Sequence, residues 1–303
     1  MLNVVILGSA AGGAVPQWNC NCAVCAAAWA DPSLRNTQVS AAVSGDNGRH
    51  WFLINASPDI RQQILDTPAL HPANGQLRHT PIAGVILTNG EIDAIAGLLS
   101  LREGSAFALH AHARVLGTLA SNSVFDVLKP NLVPRIPMPL DQVFEPLLPD
   151  GKPSGLQVEA FAVPGKPAWY IEDAGADPGD TVGLKFSTKN GDSAFFIAAC
   201  AEVTPDLAAR LSGAGLVMFD GTLWQDDEMI RAGLGSKTGQ RMGHLSMSGA
   251  GGSMASLAKV NIRHRVFVHI NNSNPALLPH SPERQVLTAA SWRIPTPGEE
   301  FVL

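Results

Sequence analysis

The sequence predicts an α/β protein in which two β-sheets are covered by helices. Short apolar and β-branched runs recur along the 303 residues and end repeatedly in turn residues, which is typical of strands. Segments with helical spacing lie between some of these runs. Neither an internal repeat nor a low-complexity linker divides the chain, so we expect a single domain over residues 1–303.

The predicted elements follow one another along the whole chain. Strands are predicted at 2–8, 51–57, 82–89, 156–165, 181–188, 193–200, 215–221, 265–272 and 299–303. Helices are predicted at 95–102, 205–211, 251–259 and 282–290. Ser281 before Pro282 is a typical N-cap for the last helix, and the Pro-, Gly- and Asp-rich segment 172–180 predicts a surface loop.

Composition narrows the class of protein. Hydrophobic residues make up 46% of the chain and charged residues 16%, which is typical of a soluble protein with a sizeable core. Twenty-one basic and 26 acidic residues give a net charge of −5, and no basic run suits a phosphate backbone, so we expect no nucleic-acid partner. No signal peptide and no apolar run of about 18 residues is recognisable, which predicts a cytoplasmic protein without a membrane partner.

Three of the four cysteines lie within six residues. Cys20, Cys22 and Cys25 in QWNCNCAVC are too close along the chain for ordinary disulfides in a reducing compartment, and three thiolates suit Zn²⁺. A fourth ligand must come from elsewhere in the chain, and four protein ligands would make the zinc site structural. Cys200 stands alone and is predicted to be a packed, buried thiol.

Polar side chains follow the strand predicted at 82–89. Asn89, Glu91 and Asp93 alternate, so their side chains would share one face if the strand extended that far. Their oxygen atoms would favour Mn²⁺, Mg²⁺ or Fe²⁺ over Zn²⁺. The alternative is an ordinary turn in which Asp93 caps the helix that follows.

Two histidines and an aspartate are further candidates. His269 ends an apolar strand and precedes a polar cluster that is costly to order unless it binds something: Asn271, Asn272 and Asn274. His244 lies before a Ser-rich turn, and Asp220 ends a strand. Each could equally be a satisfied structural residue. His110 and His112, two residues apart, lack nearby acidic donors and are predicted to be surface histidines on a strand.

Several long motifs resemble a known family. The runs GSAAGGAVPQWNCNCAVC, NASPDIRQQI, ILTNGEIDAIAGLLSLREG, FDGTLWQDDEMIRAGLGSKTGQRMGH and VFVHINNSNPALLPHSPER occur in this order and extend nearly from end to end. The chain thereby resembles the PqqB family of pyrroloquinoline quinone (PQQ) biosynthesis, a distant branch of the metallo-β-lactamase superfamily. The resemblance implies an αββα sandwich of two mixed sheets with helices on the outer faces.

The resemblance also implies an altered metal site. The superfamily motif His-x-His-x-Asp-His aligns with Asn89, Glu91 and Asp93, and Ala94 stands at the last histidine position. His269 matches the final metal histidine. Asn89, Glu91, Asp93 and His269 would then hold Fe²⁺, weakly because of Ala94.

The implied chemistry is the iron- and O₂-dependent hydroxylation of the tyrosine ring in a Glu-Tyr cross-linked intermediate, a small-molecule PQQ precursor. His244 would transfer protons or position the substrate near the metal. The substrate carboxylates would be bound by four cations, Arg61, Lys166, Lys237 and Arg241, for each of which the alternative is an ordinary solvated surface charge.

The cysteine cluster resembles a structural zinc motif that the superfamily associates with dimerisation, so a homodimer is expected. Asn272 or Asn274 would be the fourth zinc ligand. Two other functions remain open, namely a non-catalytic carrier of PQQ or its precursor and a metal-dependent hydrolase, for which most metal-binding histidines are missing.

Overall fold

Two β-sheets face each other across an apolar core, and helices cover their outer faces. The computed structural model describes residues 1–189 and 191–303, with the backbone alone at 172–174. In chain order the strands are β1 (Asn3–Gly8), β2 (Ser40–Ser44), β3 (Trp51–Ile54), β4 (Ile82–Ile86), β5 (Ala108–Ala111), β6 (Arg135–Pro137), β7 (Val143–Phe144), β8 (Gln157–Ala162), β9 (Val182–Ser187), β10 (Ser193–Ile197), β11 (Ala214–Asp220), β12 (Ile262–Val268) and β13 (Glu300–Val302).

Both sheets are mixed. The first has the order β13-β1-β2-β3-β4-β5-β6 and is parallel from β3 to β6. The second has the order β12-β11-β10-β9-β8-β7 and is parallel from β10 to β12. The mixed, two-sheet fold implied by the resemblance is therefore confirmed.

Alternation along the strands separates two apolar layers. In β1, Val4 and Ile6 point into the core between the sheets, whereas Val5 and Leu7 pack against the helices. In β11, Met218 points inward and Phe219 points outward. This period of two is the geometry of a strand that is buried on both faces.

The helices are short. They are α1 (Ala23–Ala30), α2 (Ile60–Asp66), α3 (Ile92–Ile95), α4 (Ala113–Ala120), α5 (Pro205–Leu211), α6 (Glu228–Arg231), α7 (Gly239–Met242), α8 (Ser253–Ser256) and α9 (Pro282–Ala289). Within the described ranges, no helix is long and apolar enough to cross a membrane.

All nine predicted strands are present, and β5 is the strand expected to carry His110; β2, β6 and β7 were not predicted because they are short or rich in small residues. The helix predicted at 95–102 is instead a 3-10 helix (Ala96–Leu101) after α3, and α8 covers only part of 251–259. The Ser281 cap is confirmed, because its hydroxyl accepts a hydrogen bond from the Arg284 amide at 3.0 Å. The predicted loop at 172–180 begins as a 3-10 helix (Trp169–Ala174), and the side chains at 172–174 lie outside the described residues.

Candidate active site and cysteine cluster

A cavity of about 450 Å³ opens where strands of both sheets end. β11 and β12 are parallel neighbours in which Asp220 pairs with Val268, so Asp220 and the following His269 reach the same edge of the sheet. The segment after β4 closes the opposite wall. The lining includes Gln38, Asn89, Glu91, Asp93, Lys166, Trp169, Thr222, Lys237, Arg241, His244, His269 and Asn271.

Two imidazoles and one carboxylate meet at this cavity. Asp220, His244 and His269 each offer one ligand atom, and these atoms lie within 4.8 Å of one another. Nδ1 of His244 is 2.7 Å from Oδ2 of Asp220, and the two imidazole rings stack with centroids 5.0 Å apart. Asp220 and His244, whose roles the sequence left open, therefore belong to the candidate metal centre. The donor set matches the two-histidine, one-carboxylate ligands of non-haem Fe²⁺.

The hydroxyl of Thr222 connects all three donors. Its Oγ1 donates to Oδ1 of Asp220 at 2.7 Å and lies 3.0 Å from Nδ1 of His244 and 2.7 Å from Nδ1 of His269. Thr222 is buried, so these bonds are shielded from water. Apart from its position two residues after Asp220, nothing in the sequence singles out this threonine.

Asp93 approaches His269 from the opposite side. Its Oδ2 lies 3.1 Å from Nε2 of the imidazole. Burial alone would lower the pKa of His269, but the hydrogen bond and charge of Asp93 outweigh burial and raise that pKa. Burial would likewise raise the pKa of Asp93, but the interaction with His269 lowers it. The pair therefore favours a carboxylate and an imidazolium in the metal-free protein.

Asn89 and Glu91 line the cavity but do not join the cluster of donors. Oδ1 of Asn89 accepts a hydrogen bond from the Glu91 amide at 3.0 Å, and Oε1 of Glu91 accepts one from the Trp169 amide at 3.0 Å. One oxygen of each side chain therefore holds the backbone of a loop, and the role of these two residues as metal ligands stays a prediction. The alternative of Asp93 as an N-cap is wrong, since α3 has Glu91 at that position.

Ala94 does not face the cavity. Its side chain is 1% exposed and packs with Ile95 and Leu98 in the apolar cluster under the helices. Cys200 is buried as predicted, and burial raises the pKa of its thiol to about 12. Its amide donates to Oδ2 of Asp220 at 2.9 Å, which fixes that carboxylate.

Three of the four predicted substrate cations line the cavity. Lys166, Lys237 and Arg241 lie on its exposed rim, and the ammonium of Lys166 donates to the carbonyl of Arg241. The fourth predicted cation, Arg61, lies exposed on α2 and is not part of the lining, so its prediction as a substrate-binding residue is corrected. Its helix covers the outer face of the first sheet.

The three clustered cysteines surround the carboxamide of Asn272. Nδ2 of Asn272 lies 3.1 Å from Sγ of Cys20, 3.8 Å from Sγ of Cys22 and 3.2 Å from Sγ of Cys25. Asn274 is excluded as the fourth ligand, because its carboxamide caps a 3-10 helix through Ala276 and donates to the carbonyl of Gly221. Burial raises the pKa of the Cys25 thiol to about 11.

One short segment joins the cavity to the cysteine cluster. His269 has a left-handed backbone, with φ at 56°, and Asn272 follows three residues later. Amides of the intervening residues are fixed on both sides, Ile270 to the Ser9 carbonyl at 2.9 Å and Asn271 to the Thr222 carbonyl at 3.0 Å. The segment therefore places one side chain at each site.

The histidine pair on β5 is not a pair of surface residues. His112 caps α4 by accepting a hydrogen bond from the Arg114 amide at 3.3 Å. His110 is buried between the sheets, contrary to the prediction, because alternation along β5 turns it inward while Leu109 and Ala111 face the helices.

Comparison with known proteins agrees with this fold. Residues 50–270 match a family model described as the beta-lactamase superfamily domain. Coenzyme PQQ synthesis protein B from Rhodopseudomonas palustris is 60% identical, and the match covers 100% of both chains. The protein of the same description from Bradyrhizobium diazoefficiens is 59% identical with the same coverage.

Solved structures show the same relationship. The crystal structure of Zn²⁺-bound PqqB from Methylobacterium extorquens has a TM-score of 0.93 and 50% identity, and the match covers 99% of this chain and 100% of that chain. A diphosphatase of the PhnP family has a TM-score of 0.69 and 20% identity, covering 99% of this chain and 96% of that chain, which shows a shared fold alone.

Proposed function

The chain belongs to the PqqB family of the beta-lactamase superfamily, and from this membership we propose that it acts in PQQ biosynthesis as an iron- and O₂-dependent hydroxylase. The substrate would be the tyrosine ring of a Glu-Tyr cross-linked intermediate. The observation that supports this proposal is the meeting of Asp220, His244 and His269 at one cavity. Bound Fe²⁺ would supply the activation of O₂, which no protein side chain provides.

The residues of the chain would bind and orient the substrate. Lys166, Lys237 and Arg241 on the rim of the cavity would bind the substrate carboxylates through charge-assisted hydrogen bonds. Trp169, also in the lining, offers an exposed ring at the mouth. The aromatic ring of the substrate would then face the donors at the base of the cavity.

Hydroxylation requires a proton acceptor and two electrons. One atom of O₂ enters the ring and the other leaves as water, so an external two-electron reductant must take part. Because His244 would be a ligand of Fe²⁺, the oxygen atom that leaves as water would accept the proton that the ring carbon loses. Asp220, which is 2.7 Å from Nδ1 of His244, would hold that imidazole in place.

The test is an anaerobic Fe²⁺ titration followed by O₂, ascorbate and a Glu-Tyr dipeptide, with dihydroxyphenylalanine as the measured product. We expect His269→Ala to bind iron more weakly and to form product at least about 100-fold more slowly. His264→Ala is the matched control, because this histidine lies on β12, the strand that leads to His269, and away from the cavity. Unchanged iron binding and product formation in His269→Ala would exclude the proposed centre.

A carrier of PQQ or its precursor is the second candidate. It is favoured by the Thr222 hydroxyl, which satisfies all three donors within the protein itself, and by the three cations on the cavity rim. A carrier would bind PQQ tightly as metal-free protein. Equilibrium dialysis with PQQ in the presence of a chelator distinguishes the two functions, and hydrolysis of an activated phosphodiester with Mn²⁺ tests for a hydrolase.

We also propose that Cys20, Cys22, Cys25 and Asn272 form a structural Zn²⁺ site. The three sulfurs and the carboxamide already converge, and rotation of the carboxamide presents its oxygen to the sulfurs. Zinc analysis of Asn272→Ala, which we expect to retain less metal than the wild type, tests the fourth ligand.

A homodimer would form beside the cysteine cluster. Trp18 is 84% exposed there, and the indole of the half-exposed Trp29 donates to the carbonyl of Cys20 at 3.1 Å. Exposed tryptophans of this kind are typical of an interface. Sedimentation of Trp18→Ser should show a larger monomer fraction than the wild type.

A further inference from the structure

A second cavity lies at the open edge of the sandwich. It has a volume of about 540 Å³ and lies between the last two strands of the first sheet, β5 and the edge strand β6, and the edge strand β7 of the second. Its lining shares no residue with the lining of the active-site cavity. A volume of this size is in the range of small-molecule sites.

The walls of this second cavity are mainly apolar and flat. Two phenylalanines, Phe107 and Phe144, are joined by four prolines and by four leucine and isoleucine side chains. Glu145 is the charged residue of the described lining, and its Oε1 accepts a hydrogen bond from the Gly155 amide at 2.7 Å. No lysine or arginine is part of the described lining, so the cavity does not suit an anion.

His110 is the unusual member of the wall. It is 2% exposed, and neither Nδ1 nor Nε2 has a hydrogen-bond partner in the part of the chain that the structure describes. Burial lowers the pKa of this imidazole to about 4, so the ring is neutral at physiological pH and offers one donor and one acceptor. A buried polar group without a partner costs free energy, which a suitable ligand would recover.

We propose that this second cavity binds a small neutral aromatic molecule that carries a hydroxyl group, with phenol as the simplest example, and that His110 binds the hydroxyl. The flat apolar walls suit an aromatic ring, and the neutral imidazole suits an uncharged hydroxyl. Phe144 stacks on the imidazole with ring centroids 5.4 Å apart and is itself part of the wall. Since His110 belongs to the wall and both of its ring nitrogens lack a partner among the described residues, the hydroxyl would complete a missing hydrogen bond.

The test uses NMR of protein labelled in its histidine rings, titrated with phenol and, separately, with toluene and benzoate. We expect phenol at about 10 mM to shift the His110 signals, since a ligand of this size binds in the millimolar range. The signals of His244 and His269 serve as the internal control and should not move with those of His110. Toluene should bind about 10-fold more weakly because it lacks the hydroxyl, and benzoate should not bind.

The His110→Phe variant keeps a flat ring in the wall of the second cavity and removes the hydrogen bond to the ligand hydroxyl. It should bind phenol about 10-fold more weakly than the wild type and bind toluene equally well. If this variant does not fold, the comparison of phenol with toluene in the wild type decides alone. Unmoved His110 signals, or equal affinities for phenol and toluene in the wild type, would overturn the proposal.

Discussion

Replacing Thr222 by valine should destabilise the metal-free protein measurably, because one hydroxyl connects a buried carboxylate and two partly buried imidazoles. The substitution keeps the β-branched shape and removes the bonds to Asp220, His244 and His269. Oδ1 of Asp220 keeps the Thr222 amide at 3.0 Å, and Nδ1 of His244 keeps Asp220. Nδ1 of His269 is then left without a partner among the described residues, and the His269 carbonyl also loses the hydroxyl.

One buried polar atom without a partner costs about 1–3 kcal/mol, and we expect a loss of about 2 kcal/mol. For 303 residues, unfolding entropy near 2.1 cal/mol/K per residue converts this loss into a decrease in Tm of about 3 °C. Urea denaturation and calorimetry in the presence of a chelator measure both quantities.

Two variants complete the experiment. Thr222→Ser keeps the hydroxyl and should recover most of the loss. Thr288→Val is the matched control, because Thr288 is exposed and its hydroxyl bonds the carbonyl of Arg284 in its own helix, at 2.9 Å. A Thr222→Val protein whose unfolding free energy is within about 0.5 kcal/mol of wild type would refute the role assigned to the hydroxyl.

Three further predictions concern ionisation. The lowered pKa of Asp93 means that its carboxylate stabilises the metal-free protein above about pH 4. The raised pKa of His269 means that its imidazolium contributes fully below about pH 6.5 and contributes less as the pH rises through the folded pKa. In urea denaturation, Asp93→Asn should therefore lower the free energy of unfolding more at pH 5.5 than at pH 8.5. Because the pKa of the Cys25 thiol is about 11, this thiol must lose its proton when Zn²⁺ binds. Chelator competition should therefore show an affinity for Zn²⁺ that rises at least about 10-fold per pH unit from pH 6 to 8. An affinity for Zn²⁺ that does not depend on pH would contradict this assignment. Mass spectrometry after iodoacetamide treatment at pH 8 should find Cys200 unmodified until the chain is unfolded, since its pKa is about 12; labelling of the folded protein would refute its burial.

The strands and the cysteine cluster could be predicted because both depend on local pattern. Apolar alternation identifies β11 and β12, and three closely spaced thiols need only one loop to converge. His269 could be identified for the same reason, since it directly follows a strongly apolar strand.

The rest of the candidate site depends on pairing between distant segments. Asp220 joins His269 because β11 and β12 are parallel and in register, and a rule that aligns the carboxyl ends of parallel strands could have found it. His244 lies in a loop after α7, where the sequence has no strand or helix periodicity that would identify it. Asn89 and Glu91 look like ligands in sequence, yet their oxygens accept backbone hydrogen bonds that only the folded loops reveal.

The segment from His269 to Asn272 has a consequence for how this protein can change over evolutionary time. Its ends serve two different sites, and its amides are fixed to Ser9 and Thr222. Inserting or deleting one residue there would misplace the imidazole and the carboxamide together. The two sites therefore cannot be remodelled independently by changes in loop length, and lineages that alter one must preserve the spacing that serves the other.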